Sequence, residues 1–96
     1  MSFDLIYPRE LDEVLRRLQA VLIDIRSRED YQRNHYKNAI HLEYETLMDG
    51  NFEFPKDRYL LFYCSHGGAS SAIARMYAKR GYRCGTVVGG FVAMNR

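Results

Sequence analysis

Ninety-six residues, 47% of them hydrophobic, suffice for one compact core without metal or disulfide staples, so the chain is read as one domain over residues 1–96. Its 14 basic and 12 acidic residues give a formal net charge of +2 and lie scattered without a basic run, which leaves nucleic-acid binding without support. No apolar stretch approaches the ~20 residues that span a bilayer, the N-terminal segment lacks a basic stretch followed by an apolar core, and two cysteines make no disulfide framework; an intracellular, cytoplasmic protein with reduced thiols and no membrane partner is expected.

Phe3 to Ile6 reads as a short opening strand, and Pro8 suits the first position of a helix, where its missing N–H costs nothing. Glu10, Asp12 and Glu13 place negative charge in the first turns of that helix, and Arg16 and Arg17 place positive charge toward its end. Leu11, Val14, Leu15 and Leu18 form one apolar stripe, a core face. Ala20 to Ile25 is short and β-branched, the pattern of a buried strand. Ser27 with Asp30 has the form of a capping box and predicts a brief helix over Arg28–Arg33, stopped at Asn34 in the left-handed conformation. Ala39 to Leu42 is a third strand and Tyr44 to Met48 a helical turn before the turn signal Asp49-Gly50-Asn51. The polar segment 49–58 is a surface connection pinned by Phe52, Phe54 and Pro55.

Leu60 to Tyr63 is an unbroken apolar run, as expected of a strand covered on both faces in a parallel sheet. Cys64 follows it, then Ser65-His66-Gly67-Gly68-Ala69, and from Ser70 the chain turns helical, with Ile73, Met76 and Tyr77 on one face and Gly81 past the end. Gly85 to Val88 is the last strand, and Gly89-Gly90 releases a short tail from Phe91 to Arg96. Strands alternating with helices imply right-handed crossovers and a mostly parallel α/β sheet with helices on both faces. A thiol at the end of a central strand, facing a helix N-terminus, sits where N–H groups converge on an anion. The thiolate is the nucleophilic form of such a residue.

These motifs, in this order, resemble the single-domain rhodanese-like sulfurtransferase family along nearly the whole chain. Asp24-Ile25-Arg26 is similar to the family's Asp-x-Arg, and Asn34-His35-Tyr36-Lys37-Asn38-Ala39 to its Gly-His-Ile-Pro-Gly-Ala segment. Cys64 falls on the catalytic cysteine, Gly67 on the glycine three residues later, Ser70 on the serine opening the next helix, and Gly89-Gly90-Phe91 on the closing glycine pair. The resemblance implies a three-layer α/β/α fold with a five-stranded parallel sheet in the order 3-2-4-5-1 and Cys64 at the end of the central strand. It also implies sulfur transfer without a cofactor: Cys64 takes sulfane sulfur from a small-molecule or protein persulfide donor and hands it to a thiophilic acceptor. Ser65, His66, Gly67, Gly68, Ala69 and Ser70 would form the substrate-binding loop.

Ala69 departs from the family, which usually carries an arginine there. Without that planar cation, thiosulfate is expected to be a poor donor. The same gap argues against a cysteine phosphatase, whose loop balances a tetrahedral oxyanion with arginine. Gly67 and Gly68 are expected to turn successive N–H groups inward, although both are also ordinary turn residues. His66 either lends charge to Cys64 or faces solvent. Ser70 and Ser71 either donate to the sulfur adduct or cap the helix. His35 and His41 belong to the scaffold, and Cys64-x-His66 lacks the further ligands of a zinc site. Cys84 is placed ahead of the last strand as a small, partly buried thiol too far from Cys64 for a disulfide. The other reading is a non-catalytic rhodanese-like module that binds a partner or senses sulfur.

Overall fold

The structure, a computed structural model, describes residues 2–94. Its strands are β1 (Asp4–Ile6), β2 (Val21–Asp24), β3 (Ile40–His41), β4 (Leu60–Tyr63) and β5 (Cys84–Val87). They form one parallel sheet in the order β1-β5-β4-β2-β3, the expected order read from its other edge. The helices are α1 (Leu11–Leu18), α2 (Arg28–Arg33), α3 (Tyr44–Met48), α4 (Gly68–Lys79) and α5 (Gly90–Met94), with a 3₁₀ turn at Pro8–Glu10 ahead of α1.

Side chains on a strand alternate between faces, and β4 uses both. Leu60 and Phe62, continued by Cys64, pack with Leu47 of α3 and Ile73, Ala74 and Tyr77 of α4. Leu61 and Tyr63 pack on the opposite face with Leu11 and Val14 of α1 and Met94 of α5. All four residues of β4 are buried, which explains a run that is apolar at every position rather than at alternate ones. Segment 49–58 is pinned as expected through Phe54, whose N–H donates to Tyr82 Oη at 3.0 Å while the Tyr82 hydroxyl donates to the Phe54 carbonyl at 2.7 Å.

Several local expectations are corrected. Asn34 ends α2 in an extended conformation, φ −170°, because its carbonyl is drawn to the Arg26 guanidinium at 2.6 Å; Asn38, φ 68°, takes the left-handed turn instead. Helix α4 begins at Gly68, not Ser70, and neither serine caps it: Gly67 is the N-cap, at φ 112°. Ser71 Oγ donates back to the Gly67 carbonyl at 2.8 Å. Cys84 opens β5 rather than preceding it and is fully buried. The tail contributes α5 up to Met94; Asn95 and Arg96 lie outside the described residues.

Candidate active site

Strand β4 delivers Cys64 to the carboxyl edge of the sheet, and the chain then turns at Ser65, His66 and Gly67 into α4. The turn closes on the sulfur. The Gly67 N–H donates to Cys64 Sγ at 3.1 Å and the Ser70 N–H at 3.3 Å. The thiol in turn donates to Ser70 Oγ at 3.4 Å, and that hydroxyl is fixed by Thr86 Oγ1 of β5 at 2.6 Å. Gly67 reaches this geometry only through its positive φ, and a Cβ there would meet the Gly89 backbone at 3.4 Å. Gly68, by contrast, has neither a positive φ nor a neighbour within 4 Å of a Cβ, so the unusual dihedral expected of both glycines belongs to Gly67 alone. Among the described residues, the N–H groups of Ser65, His66, Gly68 and Ala69 have no acceptor. A thiolate or its sulfur adduct is the kind of acceptor such donors suit.

Helix α5 grips the loop from the other side. The Phe91 N–H donates to the Cys64 carbonyl at 2.8 Å and the Val92 N–H to the Ser65 carbonyl at 3.2 Å. This approach requires glycine at position 90, at φ 68°, where a Cβ would lie 2.5 Å from the Ser65 carbonyl group and 2.6 Å from the Cys64 carbonyl oxygen.

A cleft of about 310 Å³ opens at the sulfur, lined by the loop residues Cys64, Ser65, His66, Gly68 and Ala69 and by Ile25, Arg26, Ser27 and Asp30 from the end of β2 and the start of α2. A second concavity, about 520 Å³ between Asp12, Arg16, Tyr36 and Lys37, does not include the thiol. Of the expected site residues, Gly67 and Ser70 lie against Sγ, whereas Ser65, His66, Gly68 and Ala69 form the cleft wall. His66 is exposed and, among the described residues, makes no hydrogen bond, so it is the solvent-facing alternative that the geometry matches. His35 and His41 stack on Tyr31, and His41 Nε2 donates to the Arg26 carbonyl at 2.7 Å, in keeping with scaffold roles.

Arg26 brings a guanidinium to the cleft, but it is already committed. Its Nη2 donates to Asp24 Oδ2 at 2.8 Å and its Nε to Oδ1 at 3.1 Å, while its own backbone N–H donates to Oδ1 at 2.9 Å. Asp24 is wholly buried and also accepts from the Tyr63 hydroxyl at 2.6 Å. Burial pulls the Arg26 pKa down, but the hydrogen bond and charge of Asp24 outweigh it and leave the value raised. Burial, followed by the hydrogen bond to Asp24, raises the Tyr63 hydroxyl as well.

The second thiol, Cys84, lies outside the cleft. Cys84 Sγ donates to the Ala74 carbonyl at 3.2 Å, and burial, then the Asp4 charge, pushes its pKa from 9.0 up to about 11. A group raised in the folded state contributes stability below its unfolded value that is lost as pH rises through the folded value. Between about pH 9 and 11 the protein should therefore lose on the order of 2 kcal/mol at this position, and Cys84→Ala should flatten that part of the profile in urea unfolding at pH 8 and pH 10.5. An unchanged alkaline slope in Cys84→Ala would contradict this.

Sequence reasoning did not assign Thr86, Ser27 or Asp30 to the site. Thr86 reads as an ordinary β-branched strand residue and Ser27 with Asp30 as a helix cap, and only the packing of β2 and β5 beside β4 brings Ser27 and Asp30 to the cleft and Thr86 to the Ser70 hydroxyl.

Comparison with known proteins agrees with this fold. The sequence model of the rhodanese-like domain matches residues 7–96. The chain is 28% identical over 92 residues to the thiosulfate sulfurtransferase GlpE of Coxiella burnetii, covering 95% of this chain and 86% of that protein. The reduced CoADR-RHD structure of Bacillus anthracis superposes with a TM-score of 0.85 at 27% identity, over 96% of this chain but only 16% of that one. A rhodanese-like domain protein from Staphylococcus aureus superposes with a TM-score of 0.84 at 22% identity, covering 97% of this chain and 92% of that one, and shows the shared fold.

Proposed function

The chain belongs to the rhodanese-like domain family, and from that premise we propose that it is a sulfurtransferase, or a persulfide carrier, whose reacting group is Cys64. The observation that carries the proposal is the pair of backbone N–H groups, from Gly67 and Ser70, already directed at Sγ inside a loop with further donors unfilled. The Cys64 thiolate attacks the outer sulfur of a donor persulfide. A sulfur–sulfur bond forms at Sγ, the donor's own sulfur–sulfur bond breaks, and the donor leaves as a thiolate. A thiophilic acceptor then takes the outer sulfur, and the bonding pair returns to Cys64, so no external oxidant or reductant is consumed. The N–H groups of Ser65, His66, Gly68 and Ala69 receive the charge of the outer sulfur while it is held.

Ala69 sets the donor preference. The guanidinium in the cleft is engaged by Asp24, and the Asp30 carboxylate lies in the same wall, so a dianion such as thiosulfate finds no uncommitted side-chain cation on the loop. Less highly charged persulfides, small or carried on a protein, are the preferred donors.

Cyanolysis and intact mass after incubation with thiosulfate or glutathione persulfide test both statements, with Cys64→Ser as control. Cys64-dependent thiocyanate release with the persulfide favoured is the expected result. Ala69→Arg should then raise kcat/KM for thiosulfate by roughly 10-fold, the worth of one charge-assisted pair. Added sulfur on Cys64 without turnover would identify a carrier, and neither signal a binding module. A clear thiosulfate preference in the wild-type protein would overturn the donor assignment.

A further inference from the structure

We propose that Arg26, acting through the ring of Phe91, positions the Cys64 loop for reaction. The proposal takes from the functional reading only that Cys64 is the reacting group. Its starting point is the grip of α5: the carbonyls of Cys64 and Ser65 are fixed by the Phe91 and Val92 N–H groups. In a planar trans peptide the N–H points opposite to the carbonyl. Fixing these two carbonyls on α5 therefore turns the following N–H groups, those of Ser65 and His66, away from α5. Both are among the donors left without an acceptor.

Beside the burial of Met94, a stack holds α5 in place. The Phe91 ring lies parallel to Tyr63, with centroids 5.8 Å apart and planes at 18°, and the Arg26 guanidinium carbon sits 4.0 Å from the Phe91 ring centroid. Arg26 itself cannot drift, since Asp24 takes its Nε and Nη2 and the Asn34 carbonyl accepts from Nη2 at 2.6 Å. The buried carboxylate thus fixes the guanidinium, the guanidinium covers the ring, and the ring sets the height of α5 above the loop. A flat cation is needed for this. Lysine would satisfy the Asp24 charge but neither stack on Phe91 nor reach both partners in one plane.

Four variants test the chain of contacts: Arg26→Lys, Phe91→Leu, their combination, and Phe91→Tyr, which keeps the ring. The readout is the second-order rate of iodoacetamide alkylation at Cys64, followed by intact mass against a Cys64→Ser blank, with urea unfolding measured alongside. This rate involves no sulfur transfer, so it stands or falls separately from the cyanolysis result. Arg26→Lys and Phe91→Leu are each expected to slow alkylation by about 10- to 100-fold, the loss expected when preorganised N–H donors no longer aim at the charge on the reacting sulfur. The combination should be about as slow as the slower single variant, and Phe91→Tyr should recover most of the rate lost in Phe91→Leu. Fully additive losses, or wild-type alkylation rates in variants whose unfolding midpoints have fallen, would show a stabilising contact with no positioning role and overturn the proposal.

Discussion

Replacing Gly90 by alanine is expected to destabilise the protein by roughly 2–4 kcal/mol and to slow persulfide formation on Cys64 by about 100-fold. Two costs add at this position. The backbone is left-handed, φ 68°, which disfavours any residue with a Cβ. The new methyl would also lie 2.5 Å from the Ser65 carbonyl group and 2.6 Å from the Cys64 oxygen, where ordinary contact begins at 3.4 Å. Those neighbours are backbone and cannot rotate away, so α5 must lift by close to an ångström. The 2.8 Å bond from the Phe91 N–H to the Cys64 carbonyl does not survive such a shift. Urea unfolding and the rate of sulfur uptake measured by intact mass check both halves; wild-type values for both would mean that α5 does not govern the loop. Gly68→Ala is the contrast within the same loop, since nothing crowds a Cβ there and the residue is helical. It should raise stability by about 0.5–1 kcal/mol.

Asp24→Asn is expected to cost about 3–5 kcal/mol, the largest loss from any single polar substitution at the site. The carboxylate is fully buried and accepts from the Arg26 side chain, the Arg26 N–H and the Tyr63 hydroxyl together. An amide of the same shape presents N–H groups where only donors face it, and it leaves Arg26, whose side chain is 8% exposed, without its counter-charge. Removing both charges is gentler: Asp24→Leu with Arg26→Met and Tyr63→Phe should recover part of the stability, because a buried ion pair contributes little over apolar residues of similar volume and no buried hydroxyl is then left without its acceptor. That triple variant should not recover the alkylation rate at Cys64, because methionine supplies no planar cation over Phe91. Denaturant unfolding and alkylation measured on the same samples separate the two roles; full recovery of both would leave Arg26 a stabilising residue only.

Much of the site is legible in the amino-acid sequence. The strand–cysteine–glycine–helix stretch marks Cys64 because each part is local: an apolar run, a turn that needs glycine, and a helical period. The all-parallel order follows from strands alternating with helices together with the family motifs. Where the local reading fails, a distant partner has settled a local competition. Asn34 favours a left-handed turn by its own chemistry but is extended because Arg26 reaches its carbonyl across eight positions. Ser70 is balanced in sequence between cap and donor, and its pairing with Thr86, sixteen residues on, places it against the sulfur.

The sequence by itself determined a parallel α/β architecture, through hydrophobic periodicity and the conformations that only glycine adopts readily, both of which act within a few residues; the strand order and the proposed role of Cys64 came from the resemblance of its motifs to the family. It also determined the missing loop cation at Ala69, since a side chain that is absent needs no geometry to be known. Only the tertiary structure decided which groups reach the sulfur of Cys64: the Gly67 and Ser70 N–H groups do, and the His66 ring does not. Only the fold, too, connects Asp24, Arg26 and Phe91 to the carbonyl of Cys64, because these residues meet where β2 and β4 end and α5 begins at one edge of the sheet, and contacts between distant segments leave no period in the chain.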